Sequence, residues 1–229
     1  KNFTIIHSNF ENLKEKLLEY GITKVDGILF DLGLSSPQID NKDRGFTFMV
    51  DAPLDMRMDQ TKQLDAETIV NTYSIEELTN IFFIYGEEKM SKIIAKKIVS
   101  ERLNKTIKTT KELVKIIESA VGAKYFNKNH PERQIFQAIR IEVNGELNVL
   151  RNVLPDAIDL LNKDGRMSVI TFHSLEDRMV KKRFNTFCEG CTCPPQFPVC
   201  VCGKTPRGKL TTRKPIEASK EELEYNHRS

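Results

Sequence analysis

The chain has 229 residues and a mass of 26.3 kDa, with 39% hydrophobic and 29% charged residues and a mean hydropathy of −0.40. These values are typical of a globular protein with one large domain or two smaller ones, and they exclude disordered, collagen-like and coiled-coil chains. The net charge is only +3, since 35 lysines and arginines nearly balance 32 acidic residues. Total charge alone therefore does not indicate a nucleic-acid binder.

The sequence predicts a cytoplasmic protein. No apolar run approaches the roughly 18–20 residues of a membrane helix, and residues 1–10 lack the pattern of a signal peptide. All five cysteines lie between Cys188 and Cys202, and an odd number fits a reducing compartment better than a disulfide framework. The chain begins at Lys1, directly before a strand-like FTII segment, which predicts a fragment of a longer protein.

The first elements follow an α/β pattern. Residues 3–6 are apolar and β-prone, residues 11–20 carry leucines at helical spacing, and residues 27–30 (GILF) form a short apolar run that ends at Asp31. A strand that is apolar on both faces is typical of a parallel sheet covered by helices. Ligands of such sheets bind beyond the carboxyl ends of the strands, so we expect the chemistry just after Asp31.

A long helical stretch then interrupts the alternation. Helices are predicted over residues 66–72, 75–85, 87–103 and 110–121. The α/β pattern resumes with a helix at 146–161, a turn at Gly165, a strand at 167–172 and a helix at 175–187. A Pro, Gly and Cys-rich loop at 188–208, a last strand at 210–216 and a short helix opened by Ser219 complete the prediction.

Basic residues concentrate in two segments. Residues 89–115 hold nine basic and two acidic side chains, and residues 163–214 hold eleven basic and four acidic ones, so the rest of the chain is acidic. Solvated helix faces and a basic loop explain this pattern about as well as function does. A nucleic-acid partner explains both segments at once.

Several polar motifs stand at predicted element ends. DLGLSSPQ (31–38) places Asp31 and two serines after a strand, although an aspartate that caps a turn is the commoner explanation. In PLDMRMD (53–59) the alternating Asp55, Arg57 and Asp59 would share one face of an extended segment and form a structural ion-pair ladder.

Two further motifs lie in the second half of the chain. In FQAIRIEVNGEL (136–147) Arg140 and Asn144 lie beside an apolar helix face and are candidates for a polar role. In ITFHSLEDR (170–178) Ser174 is predicted to cap a helix, and His173 is a weak catalytic candidate because a lone histidine is more often structural.

The order of these motifs resembles one family. The series DLGLSSPQ, DRGFTF, PLDMRMD, YGEEK, FQAIRIEVNGEL, GRMSVITFHSLEDR and the closing NHRS is similar, over nearly the whole chain, to the bacterial 16S rRNA (cytosine-N4)-methyltransferases, which use S-adenosylmethionine. The resemblance implies an α/β fold, a Rossmann-like methyltransferase sheet that is incomplete at its N-terminus, with an inserted all-helical domain. It implies methyltransferase regions at residues 1–50 and 141–229 and an RNA-recognition insert at 51–140.

The resemblance also implies a reaction and a set of residues. The reaction is N4-methylation of a decoding-centre cytosine, cytosine 1402, of 16S rRNA in the small ribosomal subunit, with no membrane involved and no protein partner implied. Phe10, Asp31 and Gln38 correspond to cofactor contacts, and Asp31 is the candidate catalytic proton acceptor. The chain contains no glycine-rich G-x-G-x-x-G turn, so the alternative is a catalytically silent RNA-binding remnant.

Four of the cysteines form two C-x-C pairs, Cys191 with Cys193 and Cys200 with Cys202. This spacing permits a tetrahedral zinc site, but it is not the commoner C-x-x-C pattern. The resemblance supplies no required metal, so none is assigned. A reduced, basic loop that faces RNA is the alternative.

Overall fold

The computed structural model describes residues 3–212 and 214–226. In this part of the chain the strands are β1, Val25–Asp31, and β2, Leu161–Ile170, and two 3-10 helices span Phe10–Asn12 and Lys42–Arg44. The α-helices are α1 Leu13–Glu19, α2 Ser36–Asp40, α3 Ala66–Thr72, α4 Ile75–Ile84, α5 Ser91–Arg102, α6 Thr110–Val121, α7 Ala123–Asn129, α8 Pro131–Asn144, α9 Glu146–Leu160, α10 Ser174–Cys188 and α11 Lys220–Tyr225. None of these helices has both the length and the apolar character needed to cross a membrane.

The two strands pair in parallel, with Phe30 opposite Val169 and Asp31 opposite Ile170. A parallel pair needs a crossover connection, and here helices α2–α9 lie between the strands in sequence. The α/β class, with a parallel sheet and inserted helices, is therefore confirmed, and it is consistent with part of a Rossmann-like methyltransferase fold. The domain boundaries at residues 50 and 140 stay a prediction.

Local sequence signals explain where the inserted helices begin. Ser74 and Thr109 each cap a helix in a capping box, with Glu77 and Glu112 respectively reaching back to the cap amide. Asp65 caps α3 by accepting a hydrogen bond from Thr68 N–H. These caps agree with the predicted starts of α3, α4 and α6.

Two hydrophobic clusters hold the chain together. The larger one joins helices α3–α8 and the segment before them, and its fully buried members include Leu54, Phe82, Ile94, Leu113 and Ile139. The smaller one packs β1 against α9 and α10, through Phe30, Leu32, Leu150, Leu154, Val180 and Phe187. The smaller cluster fixes the strand ends relative to the helices that supply the polar groups described below.

Burial on both faces of β1 is a wrong prediction. Phe30 is buried, whereas Leu29 is 65% exposed. The smaller cluster covers only the face of β1 that carries Phe30. The strand has apolar side chains on both faces, but only this face is buried.

Two predicted strands are absent from the described residues. Residues 3–6 are irregular, with Ile5 83% exposed, and residues 210–216 are irregular too, with 213 outside the described range. A β-prone sequence forms a strand only where a neighbour supplies ladder hydrogen bonds, and the described sheet contains only β1 and β2. Residues 227–229 of the NHRS motif also lie outside the described residues.

Several boundaries differ from the predictions. β2 begins at Leu161 rather than 167 and ends at Ile170, and Gly165 lies inside it next to an irregularity in the strand register rather than in a turn. The helix predicted from residue 87 begins at Ser91, because Glu87 adopts a left-handed φ of 53° that no α-helix accommodates. Helix α7 was not predicted.

Candidate functional site

A shallow cleft opens where the two parallel strands end. It is lined by Asn9, Phe10, Leu32, Gly33, Met58, Asn144, Glu146, Val149, Leu150 and Glu176. The lining thus combines the segment after β1 with the junction of α8 and α9 and the start of α10. It lies at the carboxyl ends of the strands, where open α/β sheets bind ligands and where the sequence predicts the chemistry.

Gly33 shapes the strand side of the cleft. Leu32 N–H still donates to Ile170 C=O at 3.2 Å, and the chain then turns away at Gly33 with a φ of 88°. A Cβ on Gly33 would come within 3.2 Å of the Phe172 ring. Glycine therefore allows the backbone to leave the sheet directly against this ring.

Arg140 and Glu146 form the ion pair at the back of the cleft. Arg140 Nε and Nη2 donate to the two carboxylate oxygens of Glu146 at 2.9 and 3.0 Å, and the side chains are only 18% and 9% exposed. Burial raises the pKa of Glu146, although the Arg140 guanidinium opposes this shift. The pair is thus a charged group held in a largely dry environment.

Glu176 and His173 form a second polar group at the start of α10. Glu176 N–H donates to His173 Nδ1 at 3.4 Å, Phe172 N–H donates to Glu176 Oε2 at 2.9 Å, and His173 Nε2 lies 3.2 Å from Glu176 Oε1. Burial favours a higher pKa for Glu176, but the hydrogen bonds from His173 and the Phe172 amide outweigh it and lower the pKa. Glu176 is therefore a buried carboxylate held in its ionised form.

The cap of α10 differs from the prediction. His173, not Ser174, is the N-cap residue, because its imidazole accepts the hydrogen bond from Glu176 N–H. Ser174 Oγ instead donates to Glu87 Oε2 at 2.7 Å, and Arg178 pairs with the same carboxylate. These contacts lower the pKa of Glu87, and they tie the turn before α5 to the edge of the cleft.

Ligand atoms of Glu146, His173 and Glu176 all lie within 4.8 Å of one another. Two carboxylates and an imidazole are a chemically reasonable set for a divalent cation. Both oxygens of Glu146 are already bound by Arg140, however, so a guanidinium supplies the positive charge that a cation would bring.

Asn144 anchors the PLDMRMD segment to the cleft. Its amide donates to Met56 C=O at 2.8 Å and accepts from Met58 N–H at 2.7 Å. The predicted ladder of Asp55, Arg57 and Asp59 is wrong in part. Asp55 pairs with Arg57, but Asp59 accepts hydrogen bonds from Thr61 instead. Met56 has a φ of 58°, so the segment is not extended and its charges cannot share one face.

Of the three residues assigned to the cofactor, Phe10 lines the cleft, whereas Asp31 and Gln38 stand outside its lining. Phe10 lines the cleft, 38% exposed, and packs edge-to-face on Phe30 with 5.8 Å between ring centroids. Asp31 is exposed at the end of β1 beside the cleft-lining Leu32, and its side chain has no hydrogen bond or ion pair within residues 3–212 and 214–226. Gln38 lies on α2 outside the lining, and its amide oxygen accepts from Ser35 N–H at 2.9 Å.

Sequence reasoning missed Glu146 and Glu176. Arg140 and Asn144 were singled out, but Glu146 follows a glycine and was placed among the last residues of a packing motif. Glu176 matched the ordinary pattern of acids in the first turn of a helix. Arg140 and Asn144 are four residues apart, but Glu146 follows Asn144 by only two residues across Gly145, so helical spacing gave no signal for it.

Comparison with known proteins agrees with this architecture. The model of the MraW methylase family matches residues 1–229. The chain is 54% identical over its full length to ribosomal RNA small subunit methyltransferase H of Clostridium botulinum (strain Loch Maree / Type A3), of which it covers 74%. It is 54% identical to the enzyme of the same name from Finegoldia magna over 98% of this chain and 72% of the relative, and 50% identical to that of Brevibacillus brevis over 99% and 72%. The resemblance inferred from the order of the motifs is thus confirmed, and the chain belongs to the MraW methylase family.

Proposed function

We propose that this chain transfers a methyl group from S-adenosylmethionine to N4 of a decoding-centre cytosine, cytosine 1402, of 16S rRNA. The observation that carries the proposal is a cleft at the carboxyl ends of two parallel strands in a chain of the MraW methylase family. The relatives are named as methyltransferases of small-subunit ribosomal RNA, which supports RNA as the substrate. The cytosine and the N4 atom come from the motif resemblance.

The residues of the cleft fit a methyl donor with an aromatic base and a charged amino-acid portion. Phe10 offers a partly exposed ring to a flat heterocycle, and Gly33 lets the backbone come close. Asp31 and the amide nitrogen of Gln38 would hold the polar portion. When bound, the donor supplies an electrophilic methyl group.

The exocyclic amine of cytosine is a poor nucleophile, because its lone pair is delocalised into the ring. The protein must accept hydrogen bonds from this amine and take up a proton. Glu146 and Glu176 are unsuited to this task, since Arg140 occupies one and the Phe172 amide and His173 occupy the other. Asp31 is the exposed carboxylate at this strand end, and we assign it the role of proton acceptor.

The basic helices provide a surface for RNA. On α5, Lys92 and Lys96 are exposed and form no ion pair among the described residues, whereas Lys97 pairs with Glu101. We assign RNA recognition to residues 51–140 together with the basic loop at 188–208. The contacts of Glu87 with Ser174 and Arg178 would couple this surface to the cleft.

The test compares Asp31→Asn with Asp26→Asn, a matched change on the same strand where the carboxylate accepts from the Asn162 amide at 2.7 Å. The complete product of the gene is incubated with labelled S-adenosylmethionine and either intact small subunits or naked 16S rRNA. We expect Asp31→Asn to lower transfer by about 10²–10⁴-fold without loss of folding, and Asp26→Asn to leave it near wild type.

Three results would contradict parts of the proposal. Wild-type turnover by Asp31→Asn would exclude Asp31 as the proton acceptor. A methylated nucleoside other than N4-methylcytidine, identified by mass spectrometry, would exclude the N4 assignment. RNA binding without any calorimetric binding of S-adenosylmethionine would favour the catalytically silent remnant.

A further inference from the structure

Four cysteine thiols converge in the loop that follows α10. The Sγ atoms of Cys191, Cys193, Cys200 and Cys202 all lie within 4.8 Å of one another. The Cys200–Cys202 pair is separated by 3.5 Å, Cys191–Cys202 by 3.7 Å and Cys193–Cys200 by 4.0 Å. The two C-x-C pairs, far apart by spacing alone, thus meet at one point.

These separations match one specific chemistry. Thiolates bound to zinc at about 2.3 Å in a tetrahedron are about 3.8 Å apart, which is the tetrahedral edge for that bond length. The three Sγ separations above bracket this value. A disulfide would require about 2.05 Å, and all the cysteines are free thiols.

One of the sulfurs also accepts a hydrogen bond from the backbone. Cys193 N–H donates to Cys191 Sγ at 3.4 Å. Amide donors around sulfur are the outer-shell contacts that orient metal-bound thiolates. The loop backbone therefore donates a hydrogen bond into the sulfur cluster.

The loop has no hydrophobic core to explain this order. None of residues 189–203 is buried, and residues 189–212 and 214–219, the described part of the stretch between α10 and α11, lack regular secondary structure. Irregular segments longer than about 12–15 residues are uncommon in compact domains without a special stabilising feature. A bound metal supplies such a feature, since its binding free energy is also folding free energy.

We propose that Cys191, Cys193, Cys200 and Cys202 bind one Zn²⁺ ion as four thiolates. Each thiol releases its proton to solvent when the Zn–S bond forms, so binding is favoured by higher pH. Four protein ligands leave no open position, which makes the site structural rather than catalytic. The ion fixes the loop after α10. The ion takes no part in the chemical step of the methyl transfer proposed above.

Metal analysis of the full protein, purified without added zinc or chelator, tests the site. We expect one zinc per chain in the wild type and at least about a tenfold lower content in Cys193→Ser/Cys200→Ser. Cys188→Ser is the matched control, because Cys188 ends α10 and stands outside the cluster. It should keep its zinc.

A second measurement needs no variant. Cobalt substituted into the wild-type protein should give intense thiolate-to-metal absorption in the near ultraviolet and be displaced by one equivalent of zinc. The proposal is overturned if the wild type binds less than about a tenth of an equivalent of zinc after incubation with excess metal. Iron instead of zinc, or unchanged zinc in the double variant, would overturn it as well.

Discussion

Replacement of Arg140 by methionine tests the electrostatics of the cleft most directly. The substitution keeps the apolar stem but removes both hydrogen bonds to Glu146, whose side chain is only 9% exposed. Removing one partner of a buried ion pair leaves an uncompensated charge and costs about 3–5 kcal/mol of unfolding free energy. We expect a loss in this range at pH 8.

The loss should depend on pH with a defined sign. Burial already raises the pKa of Glu146 above its ordinary value of 4.5, and removal of Arg140 raises it further. A carboxyl whose pKa is higher in the folded than in the unfolded state binds more protons when folded. Its contribution to stability is therefore fully present below about pH 4.5 and is lost as pH rises through the folded pKa, by about 1.4 kcal/mol per pH unit. Arg140→Met should be less destabilised at pH 5 than at pH 8.

Urea unfolding at pH 5 and pH 8 measures both effects. Arg133→Met on the same helix is the control, because Arg133 is exposed, and it should change stability by less than about 0.5 kcal/mol. The double variant Arg140→Met/Glu146→Gln should recover most of the loss, since it removes the stranded charge. The reasoning is refuted if Arg140→Met costs under about 1 kcal/mol at pH 8, or if the double variant is as unstable as the single one.

Three further predictions concern other parts of the chain. Gly45→Ala should destabilise the protein by more than about 2 kcal/mol, because a Cβ there would lie 2.2 Å from Pro53 C=O. Gly145→Ala has the same left-handed backbone conformation, with φ 64° and ψ 26°, but open space, and it should cost only about 1–2 kcal/mol. Asn144→Ala should cost about 1–3 kcal/mol in urea unfolding, because it leaves the buried backbone groups of the PLDMRMD segment unpaired. Hydrogen bonds from Lys105 and the Lys108 amide lower the pKa of Glu112 to about 2, so its stabilising effect is present above about pH 4.5 and is lost as pH falls towards 2. In Glu112→Gln the free energy of unfolding should therefore fall less as pH is lowered from about 4.5 towards 2.

Each of these predictions has a contrary result. Equal losses in the two glycine variants would show that the contact with the Pro53 carbonyl is relieved without cost. An Asn144→Ala protein as stable as wild type would mean that water replaces the lost hydrogen bonds. If Glu112→Gln lost stability at low pH as steeply as the wild type does, other carboxylates would cause the acid sensitivity.

The sequence alone determined much of this protein, because its signals are local. Apolar residues at helical spacing and polar caps such as Ser74 and Thr109 predicted helices α3, α4 and α6, since a helix closes its hydrogen bonds within a few residues. The order of the motifs predicted the family. The apolar run 27–30 predicted a strand of a parallel sheet, and β1 pairs in parallel with β2.

Only the tertiary structure decided the content of the cleft and the fate of the strands. Residues 3–6 have a strand-like composition, yet a strand depends on a neighbour that sequence patterns do not reveal. Glu146 pairs with Arg140 because the chain turns where α8 ends and α9 begins. Glu176, on a helix distant in sequence, lines the same cleft as Glu146. The cysteines behave in the same way. Their number and spacing favoured an ordinary loop over zinc, and no metal was assigned. The convergence of the four sulfurs in the folded loop favours zinc instead, because spacing alone does not say whether the two pairs meet.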